Sequence, residues 1–95
     1  MKITKTETEV RVTSRFAVEG AEPALHHDRP YQPARLEIEV LTPDQGEDVI
    51  FAVLSGPVVL RGGSLGTRQV FVRDRSGMPT WAQDFLAEFE DSGNW

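Results

Sequence analysis

The chain has 95 residues, a formal net charge of −5 and no cysteine. Without cysteine it has no disulfide, no thiolate metal site and no cysteine nucleophile. Its acidity argues against direct nucleic-acid binding, which requires clustered Lys and Arg. The hydrophobic fraction of 39% and the charged fraction of 26% are typical of a folded protein, so residues 1–95 are predicted to form a single domain.

The amino-terminal segment MKITKTETEV alternates polar and apolar residues. It lacks the apolar run of a signal peptide, and no run in the chain is long enough to span a membrane. We therefore expect a cytoplasmic protein without membrane association. Residues 1–8 are predicted to be an exposed arm or an edge strand, because threonine suits a strand but fills a core poorly.

Two segments that follow show the period of two expected for half-buried strands. Their apolar residues all have even numbers: Val10, Val12, Phe16, Val18, Leu36, Ile38 and Val40. The turn signal TPDQGED at 42–48 and the apolar run at 49–54 predict a hairpin over 36–54, whose second strand is either buried on both faces or central in the sheet. Ser55, Gly56 and Pro57 are predicted to break that strand. Further extended segments are expected at 58–60 and 70–72, on either side of the glycine-rich turn RGGSLGTR.

The sequence PTWAQDFLAEFED predicts a helix over 79–91, with Thr80 and Gln83 forming a capping box. Its apolar residues form one stripe: Trp81, Ala82, Phe85, Leu86 and Phe89. We predict an α+β fold, a mainly antiparallel sheet of four or five strands with this helix packed across its even-numbered face. The ending PTWAQDFLAEF resembles the helix that closes short proteins of GC-rich bacteria and their phages, a resemblance that implies no activity.

The odd-numbered face of the predicted sheet is partly apolar at Val49, Phe51, Val53 and Phe71. One helix cannot cover both faces of a sheet, so this face is expected to need another cover. The commonest solution is a two-fold dimer that pairs edges or stacks faces. A homodimer is therefore predicted, with a different protein partner as the alternative.

The segment ALHHDRPYQP lies within a predicted long, proline-rich loop at 19–34. His26, His27 and Asp28 are candidate metal ligands, but adjacent residues in an extended segment point to opposite sides. The same loop offers a partner-binding set, His26, His27, Arg29 and Tyr31. The three prolines nevertheless favour a stiff connection without chemistry, and that interpretation is preferred.

Gly62–Gly66 fits the letters of a G-x-S-x-G nucleophile elbow, yet a strand pattern follows it and no histidine lies after His27. A phosphate loop is also excluded, since Gly-Lys-Ser/Thr and a following helix are missing. The chain is therefore expected to be non-catalytic and to require no cofactor.

We predict a protein-interaction or accessory module. The alternatives are a small metal- or ligand-binding protein that uses the His26–His27–Asp28 loop, and an acidic protein that occupies a nucleic-acid-binding partner. The last alternative depends on the acidic outer face of the helix, Asp84, Glu88, Glu90 and Asp91.

Overall fold

A computed structural model describes residues 1–9, 13–41 and 48–92 of the chain. These residues form an antiparallel sheet and one carboxy-terminal helix, which confirms the α+β class. The strands are β1 (Lys2–Glu9), β2 (Thr13–Glu19), β3 (Ala24–His26), β4 (Arg29–Tyr31), β5 (Arg35–Leu41), β6 (Val49–Val59) and β7 (Leu65–Val72). A 3₁₀ turn at Arg75–Gly77 precedes the helix α1 (Thr80–Ser92).

The sheet has seven strands among the described residues, so the predicted count of four or five is wrong. The extra strands arise inside 19–34, which was predicted as a loop and contains the β3–β4 hairpin. Strands of three residues are too short to show an alternating pattern. Residues 2–9 form an edge strand paired with β2, one of the two states predicted for the amino terminus.

The strands follow the order β1-β2-β5-β6-β4-β3, and β7 pairs with β6. The long strand β6 is therefore central, and it runs through Gly56 and Pro57, where a break was predicted. Pro57 has no backbone N–H to donate, but its carbonyl accepts a hydrogen bond from the Gln32 backbone N–H at 2.8 Å. Gly56 lies so close to the neighbouring backbone that an added Cβ would sit 1.7 Å from the Gln32 carbonyl oxygen.

The core lies between the even-numbered face of the sheet and α1, as predicted. Buried residues of the two layers include Phe16, Val18, Leu36, Ile38, Leu54, Ala82 and Leu86. Phe16 contacts Phe85 and Phe89 edge-on, with ring centroids 5.1 Å and 6.2 Å apart. The predicted core positions Val10 and Val12 lie outside the described residues, as do residues 42–47 of the predicted turn.

The helix begins at Thr80, within one residue of the predicted start. The Gln83 side chain donates to the Met78 carbonyl at 2.9 Å, which differs from the predicted reciprocal bond with Thr80. Met78 is buried, so this bond fixes the helix start to the core. In the described part of the chain, no helix has the length and apolar character needed to cross a membrane.

Candidate functional site

Four large apolar side chains are about half exposed on the odd-numbered face of the sheet. They form what we call the apolar strip: Leu41 (47% exposed), Val49 (46%), Phe51 (53%) and Phe71 (52%). Leu41 and Val49 are cross-strand partners, and the half-buried Val53 lies between Phe51 and the β7 end of the strip. Of the two predicted states of β6, burial on both faces is therefore wrong, whereas a central place in the sheet is confirmed by its pairing with β5 and β7. Only its even-numbered face is covered by α1, because the domain has no second layer among the described residues.

Charged residues lie on the same face in the neighbouring strands. Glu39 and Glu37 of β5 lie directly opposite Phe51 and Val53. Arg15 of β2 lies opposite Glu37, and Arg35 lies 3.9 Å from Glu37. These charges suit a face that stays in water. The apolar residues are therefore concentrated at β6 and β7 rather than spread over the face.

The apolar strip borders an edge of β6 that has no strand partner among the described residues. On one side, β5 pairs with β6 from Val49 to Ser55. On the other side, β7 pairs with β6 only from Leu54 onward. The edge at 49–53, which we call the open edge, is left unpaired. It borders a cleft of about 330 Å³ whose lining includes Arg73, Arg75 and Leu86.

The orientation of the backbone at the open edge follows from the neighbouring ladder. The Ser55 carbonyl accepts a hydrogen bond from the Ala34 N–H at 2.9 Å, so Ser55 directs its polar groups toward β5. Successive residues of a strand direct their N–H and C=O groups to alternate sides. Ile50 and Ala52 therefore direct theirs into the open edge, where a further strand can bind them.

Two arginines lie beside this surface. The Arg73 guanidinium lies 5.7 Å from the centre of the Phe71 ring, a cation–π arrangement. Arg75 is hydrogen-bonded to Glu90 of α1, which ties one of the predicted acidic helix residues to the protein itself. Arg73 was not among the residues predicted from the sequence. Its position two residues after Phe71, on the same side of an extended segment, was the available signal.

The candidate metal residues form a tight turn, not the extended segment assumed from the sequence. His27 and Asp28 both have positive φ, 49° and 63°, and His26 pairs with Arg29 across the turn. This is the geometry of a two-residue type I′ hairpin. The two histidine rings lie 4.2 Å apart between centroids, so they do not point to opposite sides. Within the described ranges, no group of three potential metal ligands is found.

The predicted partner-binding residues separate into two environments. His26, His27 and Arg29 line a cleft of about 470 Å³ together with Arg68 and Phe71, among others. Tyr31 instead is fully buried in the core. Its hydroxyl has no hydrogen-bond partner among the described residues, and burial raises the pKa of the phenol. Tyr31 therefore cannot contact a partner at the surface.

The glycine-rich segment is the turn between β6 and β7, as interpreted from the sequence. Gly62 and Gly63 have φ values of 86° and 90°, which glycine adopts without strain. The Leu60 N–H donates to the Ser64 carbonyl at 2.7 Å and closes the turn. β7 begins at Leu65, so no helix follows the motif.

Comparisons with protein-family models, with curated proteins and with solved structures found nothing that matches this chain.

Proposed function

We propose that this protein is a non-catalytic interaction module that binds another polypeptide through the apolar strip. The observation that carries the proposal is the position of the strip beside the open edge of β6. Each feature alone is common, since single apolar side chains are scattered over most protein surfaces. Together they offer a partner both backbone hydrogen bonds and apolar contact.

The chemistry of the strip supports binding more than catalysis. Phe51 and Phe71 are aromatic residues, which are enriched in protein interfaces. Arg73 lies over the Phe71 ring and offers a guanidinium that suits a carboxylate of a partner. The strip contains no nucleophile and no titratable pair, which a catalytic site would need.

Photo-cross-linking tests this proposal. A benzophenone amino acid replaces Phe51 in one variant and Leu65 in a matched control variant. Leu65 is 55% exposed and also lies on the sheet, but at the far end of β6 from the open edge. After irradiation in a lysate of the native host, denaturing electrophoresis and mass spectrometry identify what each position contacts.

We expect saturable adducts at position 51 that unlabelled wild-type protein competes away, and none at position 65. An adduct with a second copy of this chain and an adduct with another protein both support the module. Equal labelling at both positions, or no competable adduct at position 51, would contradict the proposal.

A second candidate function is the binding of a small anion at the β3–β4 turn. The cleft there is lined by His26, His27, Arg29 and Arg68, and no carboxylate is among its lining residues. Two arginines favour an anion over a metal cation, because they repel a positive ion. The lining of this cleft therefore favours the binding of an anionic ligand over the binding of zinc.

The melting temperature, measured with inorganic phosphate and with zinc, distinguishes anion binding from zinc binding. A ligand that binds only the folded state raises the melting temperature by mass action. We expect no shift with zinc, and any phosphate shift to disappear in Arg68→Gln. A zinc shift that is lost in a His26→Ala, His27→Ala double variant would restore the metal interpretation.

A further inference from the structure

We propose that the cleft at the β3–β4 turn binds a small amphipathic oxyanion, a carboxylate or phosphomonoester whose apolar body extends past Arg29 and Arg68 into a second cleft. This inference rests on the second candidate function, anion binding at this turn, and adds the chemical class of the ligand. We call the first cleft, of about 470 Å³, the anion cleft, and the second, of about 490 Å³, the Leu60 cleft. Both volumes suit a small molecule, since ligand sites typically measure about 300–1,000 Å³.

The two clefts adjoin at a pair of arginines. Arg29 and Arg68 are among the lining residues of both clefts. Arg29 is the first residue of β4, and Arg68 lies within β7. A ligand bound to this pair therefore has access to both clefts.

The arginine pair has no counter-ion in the described part of the chain. Among the described residues, neither Arg29 nor Arg68 forms an ion pair, whereas Arg75 is bonded to Glu90 of α1. Two positive charges that line one cleft repel each other, and an anion bound between them replaces this repulsion with attraction. The pair therefore favours a ligand with negative charge.

The anion cleft offers several donors to an oxyanion. Each guanidinium presents a fork of N–H donors that matches the geometry of a carboxylate or a phosphate. The rings of His26 and His27 and the side-chain amide of Gln69, which also line this cleft, offer further N–H donors. Its lining residues include no carboxylate, so the charged head of the ligand belongs here.

The Leu60 cleft suits the apolar part of the ligand. Its lining includes Pro30, Val58, Leu60 and Gly66. Leu60 is 50% exposed, so an apolar group that covers it removes apolar surface from water. Asp28 also lines this cleft and disfavours a second negative charge there. The two clefts together therefore select a ligand that is charged at one end and apolar at the other.

The backbone holds the two arginines in place before any ligand binds. Tyr31, two residues after Arg29, is fully buried. The next residue, Gln32, donates its N–H to the Pro57 carbonyl of β6 at 2.8 Å. Arg68 immediately precedes the β7 residue that lies opposite Pro57. Both arginines are therefore carried by strands attached to the same part of β6, which lowers the cost of ordering the site on binding.

Three small probes test the ligand class. Hexanoate and acetate share a carboxylate and differ in the methylene chain, whereas 1-hexanol has the chain without the charge. Binding is followed by the amide resonances of isotopically labelled protein. We expect hexanoate to bind with a dissociation constant of about 1 mM or tighter and to shift resonances at 26–29 and 66–70. Acetate and 1-hexanol should bind at least about tenfold more weakly, because each methylene removed from water contributes about fourfold in affinity.

Four variants at exposed positions test the two halves of the site. Arg68→Gln should weaken hexanoate binding by about tenfold or more, because it removes a charged fork of donors. Arg61→Gln is the matched control, since it removes the same charge from the β6–β7 turn, and Arg61 is not among the lining residues of either cleft. Leu60→Ser should weaken the binding of hexanoate and leave that of acetate unchanged. Leu65→Ser, outside both linings, should change neither, and circular dichroism checks that all four variants fold.

Two results would overturn the site itself: hexanoate binding that survives Arg68→Gln, or shifts confined to residues 49–53 of the open edge. Equal affinity for hexanoate and acetate would overturn the amphipathic class. If hexanoate does not bind but phosphate raises the melting temperature of the wild type and not of Arg68→Gln, this inference fails and the second candidate function stands. If neither anion binds, both fail, while cross-linking at Phe51 tests the polypeptide-binding proposal independently.

Discussion

Replacing Phe85 with alanine tests whether α1 closes the core. A fully buried phenylalanine costs about 3–5 kcal/mol when it is truncated to alanine. Phe85 is only partly buried, which roughly halves that cost, but it also makes an edge-to-face contact with Phe16. Such a contact adds about 0.5–1.5 kcal/mol. We expect the free energy of unfolding to fall by about 2–4 kcal/mol, from a typical total of about 5–15 kcal/mol.

Thermal unfolding followed by circular dichroism measures this loss. About 1 kcal/mol shifts the melting temperature of a domain this size by roughly 4–8 °C, so we expect a decrease of roughly 10–25 °C. Phe71→Ala is the matched control, since that ring is 52% exposed and should cost under about 1 kcal/mol. Both variants are measured at low protein concentration, where association does not add stability. Equal losses in the two variants, or no loss in Phe85→Ala, would refute the packing of α1 on the sheet.

Three smaller predictions concern the β3–β4 turn, Gly56 of β6 and the buried phenol of Tyr31. The double variant His27→Asn, Asp28→Gly should raise the free energy of unfolding by about 1 kcal/mol, because Asn-Gly adopts a type I′ turn more readily than His-Asp does. A lower melting temperature in this variant would contradict the turn type. Gly56→Ala should destabilise by about 2 kcal/mol or more in urea titrations because its Cβ meets backbone. Gly77→Ala should cost under about 1 kcal/mol, since the nearest atoms to its Cβ would lie 3.9 Å and 4.0 Å away. For Tyr31, the raised pKa in the folded state means that stability is unaffected below the unfolded pKa of about 10 and falls as the pH rises above it. Phenolate absorbance of this single tyrosine should therefore appear only with alkaline unfolding, and Tyr31→Phe should weaken the alkaline loss; early titration of the native protein would contradict burial.

The parts of the fold that the sequence predicted are those where one local pattern determines the structure. The alternation at Leu36 and Ile38 identified the buried face, and both residues are fully buried. The stripe of α1 identified the helix and the surface it covers. Both signals extend over several residues and need no knowledge of the rest of the chain.

The parts that were missed depend on contacts between distant segments. The strand β4 contains Pro30, and its place in the sheet depends on a bond between Gln32 and Pro57, far apart in sequence. Tyr31 was included in the predicted partner-binding set as a residue of the 19–34 loop, yet it is fully buried where β4 meets β6. No local pattern distinguishes these outcomes, since a short proline-containing segment suits a loop equally well.

The candidate site depends on both kinds of information. The apolar character of Phe51 and Phe71 on the odd face was predicted, but the open edge beside them arises from where β7 ends. After β7 the chain turns at Asp74. The Asp74 carboxylate stabilises this turn by accepting hydrogen bonds from the Ser76 N–H at 3.1 Å and from the Ser76 hydroxyl at 2.8 Å. The chain then turns toward the buried Met78 and crosses to the helix layer. A few more residues of β7 would have covered the edge of β6, so this turn at Asp74 leaves a strand of core composition exposed for half its length.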